Sequence, residues 1–276
     1  MKLSVAIICR DNEDTIERCL KSVEGAEIVV VDTGSKDKTK EICAKYAQVH
    51  DFVWCDDFSK ARNFAIEKCT GDWVLILDSD EWVDLDEVYS VLEGAEDHDS
   101  VTADIYYGDR KSHNHIRLIK PSVRYKFPIH EYPEATNTLV SSLKIYHEKG
   151  KRDPERNLRM LIKAVDASDL PRYKFYLACE YFWKNDLVLA LYWFERYVRQ
   201  SSFIQERADA YLFIAKCLWR LQRGDEAREA CLKAVMLNPN FKEALLKMAE
   251  MSWDNQAVVW RKFAEIADNS GVLFLR

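Results

Sequence analysis

Two carboxylates one residue apart, Asp78 and Asp80, follow directly on the apolar run 74–77. A buried strand that ends in this way brings both to the carboxyl edge of a sheet, where open α/β folds bind their ligands. Because side chains alternate along an extended chain, we expect residues 78 and 80 on the same side. Carboxylates are preferred ligands of Mg²⁺ and Mn²⁺, so the pair predicts a hard-cation site for a nucleotide diphosphate. The alternative is a plain acidic turn.

A second acid, Asp32, ends the apolar run 28–31 and is followed by Gly34 and Ser35. Its carboxylate suits recognition of a base or a ribose. Gly34 permits a tight turn into a helix that we expect to begin near Ser35, and the N-terminus of that helix would favour an anion. Glycine-rich dinucleotide and P-loop fingerprints and the G-x-S-x-G motif do not occur, which argues against oxidoreductases, P-loop phosphotransferases and α/β-hydrolases.

The elements that would position these residues alternate along the first part of the chain. The apolar pattern predicts strands over 3–9, 27–31, 49–55 and 73–77 and helices around 16–23, 36–46 and 59–68. Strands that alternate with helices indicate a parallel sheet. Short β-rich runs at 104–107, 116–119 and 143–146 are expected to complete the sheet and to line the acceptor side.

From residue 154 onward the sequence is almost entirely helical in pattern. At an offset of 37 residues, Ala178 and Ala190 align with Ala215 and Ala227, and small residues recur at further matching places. This resembles tetratricopeptide repeats, in which small residues let paired helices approach closely. A plain helical bundle is the alternative. We therefore expect two domains, over 1–150 and 151–276.

Composition narrows the class of protein. The chain has 276 residues, is 48% hydrophobic and 31% charged, and has a net charge of −6. Residues 1–150 carry 19 Lys and Arg against 29 Asp and Glu, which disfavours a nucleic-acid partner. Eight cysteines without C-x-x-C spacing indicate buried thiols in a reducing compartment. With no apolar run of membrane length and no signal peptide, we expect a cytoplasmic protein.

The motifs also carry a family resemblance when they are read together and in order. They are the stretch 3–10 followed by Asn12 and Glu13, then 29–35, 57–59 with 61–63, and 77–81. Over roughly residues 1–150 this set resembles family 2 glycosyltransferases of the GT-A fold, an α/β fold with a Rossmann-like mixed sheet that binds nucleotide sugars. It is most similar to a bacterial subgroup with tetratricopeptide-like helices, some of whose members glycosylate peptides or proteins.

The resemblance implies roles on the donor side. Asp32 would hold the uracil or ribose, and Arg62 would brace the base region and the carboxylate of Asp32. Asp78 would contact ribose or metal, and Asp80 would be the direct ligand of Mn²⁺ or Mg²⁺. The nucleotide-sugar site that the resemblance implies also includes Arg10, Asn12, Gly34, Ser79 and Lys151.

On the acceptor side, the resemblance implies that Glu131 is the catalytic base. A glutamate can take the proton from an attacking hydroxyl if it lies within hydrogen-bond reach. His130 would orient Glu131 or meet the metal, and His147 would supply a further metal ligand. Lys151 would meet the diphosphate as its loop closes. Trp82, just after the acids, is a candidate for stacking on the sugar.

The resulting prediction is a metal-dependent, inverting glycosyltransferase. It would move a hexose from a UDP-sugar to a hydroxyl or thiol of a peptide, protein or glycan, and the helices would recruit the acceptor or a second copy of the chain. Two alternatives stay open at this point. One is a catalytically silent platform for peptide binding, and the other is a nucleotidyltransferase, although the usual glycine-rich loop of that class is absent.

Overall fold

The computed structural model describes residues 1–148, 150 and 153–269, apart from the side chains of residues 112 and 113. The chain divides into two compact units, Met1–Asp153 and Pro154–Arg276. Each unit has its own buried apolar core.

The first unit combines a large mixed sheet with four short helices among its described residues. Its strands are β1 (Leu3–Cys9), β2 (Glu27–Asp32), β3 (Gln48–Asp51), β4 (Trp73–Asp78), β5 (Glu81–Val83), β6 (Ser100–Tyr107), β7 (Arg110–Ile119), β8 (Tyr125–Lys126), β9 (Tyr132–Pro133), β10 (Thr138–Leu139) and β11 (Lys144–His147). Its helices are α1 (Ile16–Ser22), α2 (Thr39–Cys43), α3 (Phe58–Lys68) and α4 (Leu85–Leu92).

The strand order in the described sheet is β3-β2-β1-β4-β7-β6-β11-β5, with β10 paired to β6. The first four strands are parallel, as predicted, while β7 runs antiparallel to β4 and β6. Successive residues of β1 enter different cores: Val5 and Ile7 pack with α1 and α4, and Ala6 packs with α3. Strands buried on both faces need continuous apolar runs, which explains the sequences of β1, β2 and β4.

The predicted helix 36–46 is wrong in its extent, because α2 covers only Thr39–Cys43. The preceding backbone donors are used by side chains of the loop after β1. The Lys36 N–H donates to Asp11 and the Lys38 N–H donates to Glu13. These contacts tie the segment before α2 to the loop after β1. The third strand is also shorter than the predicted 49–55, because β3 ends at Asp51.

The second unit consists of helices α5 (Arg156–Ala167), α6 (Pro171–Trp183), α7 (Leu187–Gln200), α8 (Ile204–Arg220), α9 (Gly224–Leu237), α10 (Lys242–Glu250) and α11 (Asp254–Ile266). The alanines that match at an offset of 37 residues, Ala178 and Ala190 with Ala215 and Ala227, are all fully buried. They lie on α6 and α7 and on α8 and α9, so the repeated small residues fall where helices of successive pairs pack, as the repeat pattern predicts.

All eight cysteines are free thiols, and five of them are buried. Cys55 is exposed and Cys69 and Cys179 are half-buried, so the expectation of uniformly buried thiols is wrong for these three. Within the described residues, every helix falls short of the length and apolar character that a bilayer span requires.

Candidate active site

Asp32 ends β2 in a tight turn, and its side chain holds that turn. The residue is 3% exposed. Its carboxylate accepts hydrogen bonds from the backbone N–H groups of Gly34 and Ser35, each at 3.1 Å, and from the Ser35 hydroxyl. Gly34 adopts a φ of +103°, which favours glycine. The expected helix N-terminus at Ser35 is wrong, since the helix starts at Thr39.

The loop after β1 joins the turn after β4. The Asn12 side chain accepts hydrogen bonds from the Ser79 hydroxyl at 2.8 Å and from the Arg10 N–H at 3.1 Å. Asp11 between them adopts a φ of +52°, and the Arg10 side chain is about half exposed. The structure therefore brings together three predicted donor-side residues, Arg10, Asn12 and Ser79, at the carboxyl ends of two neighbouring parallel strands.

Asp80 faces His147 at the far side of the same turn. Antiparallel pairing of β11 with β5 places His147 opposite Glu81. The imidazole Nε2 lies 3.5 Å from Asp80 Oδ2, and Nδ1 lies 3.5 Å from Glu81 Oε1. All three residues are buried. A neutral imidazole carries a proton on only one nitrogen, so it can donate to only one of the two carboxylates.

Asp78 belongs to a different set of contacts. Its Oδ1 accepts a hydrogen bond from Arg62 Nη2 at 2.8 Å, and its Oδ2 lies 3.8 Å from Arg117 Nη2. The alternation argument that placed residues 78 and 80 on one side is wrong, because the strand ends at Asp78 and residues 79 and 80 form a turn. In the described part of the chain, no three or more His, Cys, Asp or Glu side chains are grouped as a metal site.

Arg62 connects Asp78 to the predicted base. Its Nε donates to Glu131 Oε1 at 2.8 Å, and the side chains of Arg62 and Glu131 are 9% and 13% exposed. The predicted brace between Arg62 and Asp32 is wrong, because the carboxylates that Arg62 contacts are those of Asp78 and Glu131. Burial acts to lower the pKa of Arg62, but these two carboxylates outweigh it and raise that pKa well above its usual value.

These residues line a cavity of about 280 Å³ together with Arg117 and Tyr125. Burial raises the pKa of Tyr125 to about 12, so its hydroxyl stays protonated at neutral pH. Two guanidinium nitrogens, Arg62 Nη1 and Arg117 Nε, are buried without a hydrogen-bond partner among the described residues. Such donors are costly to leave unpaired. The cavity wall thus carries two guanidinium groups beside the carboxylates of Asp78 and Glu131.

The predicted roles of His130 and Lys151 are not tested by their contacts. His130 adopts a φ of +52° in the segment before Glu131, and the histidine that faces Asp80 is His147. The assignment of His130 to the metal therefore stays a prediction. Lys151 lies outside the described residues.

The expectation for Trp82 has to be revised. One face of its ring stacks on Tyr146, with centroids 5.6 Å apart, and the Arg18 guanidinium carbon lies 3.6 Å from the ring centroid. Both contacts compete with a sugar for the ring.

Glu81 and Arg117 were not predicted as site residues. The available signal for Arg117 was a single arginine between apolar residues in a predicted strand.

Comparisons with known proteins place the first unit in a described family. The family described as Glycosyl transferase family 2 matches residues 4–157. A TPR repeat-containing protein of Synechococcus elongatus is 36% identical over 141 residues, which are 47% of this chain and 35% of that protein. Glycosyltransferase GlyA of Streptococcus pneumoniae is 29% identical over 123 residues, 41% of this chain and 17% of that protein. The chain thus spans about a third or less of the length of these relatives.

Among solved structures, S. aureus TarS 1–349 in complex with UDP-GlcNAc aligns with 96% of this chain and 92% of its own, at 16% identity and a TM-score of 0.49. The family match covers more than half of the chain and coincides with the unit that contains the mixed sheet. The predicted fold class, a GT-A sheet followed by tetratricopeptide-like helices, is confirmed. The chain belongs to glycosyltransferase family 2.

Proposed function

We propose that this protein is a metal-dependent, inverting glycosyltransferase that moves a hexose from a UDP-sugar to a hydroxyl or thiol. The catalytic domain would be residues 1–150. The observation that supports this most is the partly buried chain of contacts from Asp78 through Arg62 to Glu131, which lines a cavity at the carboxyl edge of the sheet. That edge is where open α/β folds bind nucleotides.

Asp80 and His147 are the residues proposed to hold a divalent metal ion. A carboxylate oxygen and an imidazole nitrogen suit Mn²⁺, and they already face one another at 3.5 Å. A divalent ion between them would add positive charge beside the Asp80 carboxylate. Bound there, it would neutralise the diphosphate of the donor. Phosphate oxygens would complete a ligand set that the described residues do not complete themselves.

Glu131 is proposed as the base. In its ionised form it can accept the proton of the attacking hydroxyl, and its hydrogen bond to Arg62 fixes its orientation. The guanidinium groups of Arg62 and Arg117, which line the same cavity, would bind substrate oxygens. Asp32 and the residues of the β1 loop, Arg10 and Asn12, would contact the nucleoside.

The acceptor is proposed to be a peptide, a protein or a glycan. The second unit stacks helices in successive pairs, an architecture that presents extended surfaces for macromolecules. We propose that residues 151–276 recruit the acceptor or a second copy of the chain.

The direct test is release of UDP from UDP-glucose and UDP-N-acetylglucosamine with Mn²⁺, first with water and then with peptide and glycan acceptors. Glu131→Gln keeps a hydrogen-bond acceptor for Arg62 but is a much weaker base. We expect it to lower the turnover number at least 100-fold while UDP binding stays within about threefold. Glu134→Gln, at an exposed glutamate nearby, is the matched control and should behave as wild type.

No UDP release from either donor by the wild type, together with no binding of UDP, would refute the proposed reaction. Pyrophosphate release from UTP and a sugar phosphate would instead favour a nucleotidyltransferase.

A further inference from the structure

The Asn63 side chain on α3 binds both polar groups of the Tyr125 backbone. Its Nδ2 donates to the Tyr125 C=O at 2.9 Å, and its Oδ1 accepts from the Tyr125 N–H at 2.8 Å. A backbone N–H can only donate and a C=O can only accept, so these partners also fix the orientation of the amide. For this one residue, the side chain takes the place of a neighbouring strand.

The pairing of β8 explains why Tyr125 needs such a partner. β8 and β9 form a two-stranded ribbon in which Tyr125 faces Pro133, and the Glu134 N–H donates to the Arg124 C=O at the next position. Hydrogen-bonded pairs alternate with unbonded pairs in an antiparallel ladder, so the polar backbone groups of Tyr125 point away from β9 and toward Asn63. A two-stranded ribbon is marginally stable at best by itself, so it depends on its attachment to other elements.

The β8–β9 ribbon carries the proposed base. Residues 127–131 connect its two strands, and Glu131 is the last of them. Phe127 and His130 in this segment adopt φ values of +75° and +52°. Residues other than glycine hold such left-handed values only where the surrounding contacts enforce them. The conformation that presents Glu131 therefore depends on how the ribbon is attached to the rest of the unit.

The attachment is made by α3, through contacts at both ends of this segment. At one end Asn63 holds Tyr125. Near the other end, the Phe58 N–H donates to the Pro128 C=O at 2.8 Å, from the first turn of α3 where backbone donors have no partner within the helix. The hydrogen bond from Arg62 to Glu131 starts on the same helix. One helix thus fixes the ribbon and the carboxylate together.

We infer that Asn63 is a positioning residue that holds the β8–β9 ribbon on α3 and so keeps Glu131 in place for the attacking acceptor. This inference rests on the proposed function, in which Glu131 is the base. Asn63 acts on it through the backbone of Tyr125. The position needs one donor and one acceptor at once, which an amide supplies and an ionised carboxylate does not.

The first experiment measures hydrogen exchange by mass spectrometry in the nucleotide-free protein. Asn63→Ala removes both hydrogen bonds, and Asn63→Asp keeps the size but sets an ionised oxygen against the Tyr125 C=O. We expect at least tenfold faster exchange in peptides that cover 125–133 in both variants, with the peptides of α5 to α11 unchanged. Glu67→Ala, at an exposed position of the same helix, is the control. Wild-type exchange of 125–133 in both variants would overturn the inference.

The second experiment separates positioning of the base from a merely structural role. UDP release from the donor and UDP affinity are measured for Asn63→Asp in the wild type and in the Glu131→Gln background. We expect the turnover number to fall at least tenfold in the wild-type background, with UDP affinity within about threefold. In the Glu131→Gln background the further fall should be less than about threefold, because residues that act as a unit are not additive.

An equal fall in turnover in both backgrounds, or faster exchange with no fall in turnover, would overturn the inference. If Asn63→Ala does not fold, Asn63→Asp gives both readouts. The two measurements also separate the inference from the proposed function. If the wild type releases no UDP from either donor, the proposed function fails, while hydrogen exchange still decides whether Asn63 holds the β8–β9 ribbon.

Discussion

Replacement of Arg62 with methionine tests the buried contacts that the account depends on. The change keeps most of the side-chain volume and removes two hydrogen bonds of 2.8 Å, to Asp78 and to Glu131. Removing one partner of a buried ion pair costs roughly 3–5 kcal/mol. Because the Asp78 side chain is 31% exposed, water can partly replace the arginine, and we expect the free energy of unfolding to fall by about 2–4 kcal/mol.

The loss should be local to the first unit. Hydrogen exchange followed by mass spectrometry would show it as faster exchange in peptides that cover β4 and α3, and urea unfolding would give the free energy. In the Glu131→Gln background the same Arg62→Met change should lower the free energy of unfolding by about 1–2 kcal/mol less, because only one carboxylate, that of Asp78, is then left without its arginine partner. Lys126→Met, which breaks an exposed pair with Glu134, is the control for loss of a surface cation.

A loss below about 1 kcal/mol for Arg62→Met, or an equal loss in both backgrounds, would refute this reasoning. The first result would mean that the carboxylates are well solvated without the arginine. The second would mean that Arg62 stabilises the unit through packing against the Tyr125 ring, 5.5 Å away, instead of through charge.

Three further predictions concern stability. Burial acts to raise the pKa of Glu27, but hydrogen bonds, first from Ser4, lower it to about 2. Glu27→Gln should therefore lower the free energy of unfolding by about 1–2 kcal/mol at pH 7. In urea titrations this difference from the wild type should disappear as the pH falls from about 4.5 to 2. Burial raises the pKa of Glu206, which accepts a 2.6 Å hydrogen bond from Tyr197. Because the ionised carboxylate is disfavoured in the folded state, Glu206→Gln should stabilise α8 and slow its hydrogen exchange at pH 8, with little effect at pH 4.5. A Cβ on Gly71 would lie 2.7 Å from the Ser4 backbone nitrogen, so Gly71→Ala should lower the unfolding free energy by about 1–3 kcal/mol, measured with urea.

The parallel half of the sheet could be predicted from the sequence because its signals are local. The short apolar runs of β1, β2 and β4, rich in valine and isoleucine, are typical of strands buried on both faces, and each ends in polar residues. Since the carboxyl ends of parallel strands share one edge, Asp32 and Asp78 could be placed there without a structure.

The remaining site could not be predicted because it depends on pairing between distant segments. Glu81 and His147 are neighbours only through the antiparallel pairing of β5 with β11, and Arg117 reaches Glu81 only because β7 enters the sheet in reverse. The turn at residues 79 and 80 also breaks the alternation that a strand pattern implies. The contacts of the segment before α2 with Asp11 and Glu13 likewise join residues about 25 positions apart in the sequence.

The central claim is that the first unit binds a nucleotide diphosphate through a metal ion held by Asp80. The most direct measurement is calorimetric titration of the protein with UDP, with and without Mn²⁺, in the wild type, in Asp80→Asn and in Asp51→Asn. Asp51 is an exposed aspartate at the end of β3, on the same edge of the sheet.

We expect UDP binding that strengthens at least tenfold with Mn²⁺ in the wild type and in Asp51→Asn and that loses this gain in Asp80→Asn. UDP binding that is equally tight with and without Mn²⁺, or a Mn²⁺ gain that survives in Asp80→Asn, would contradict the account.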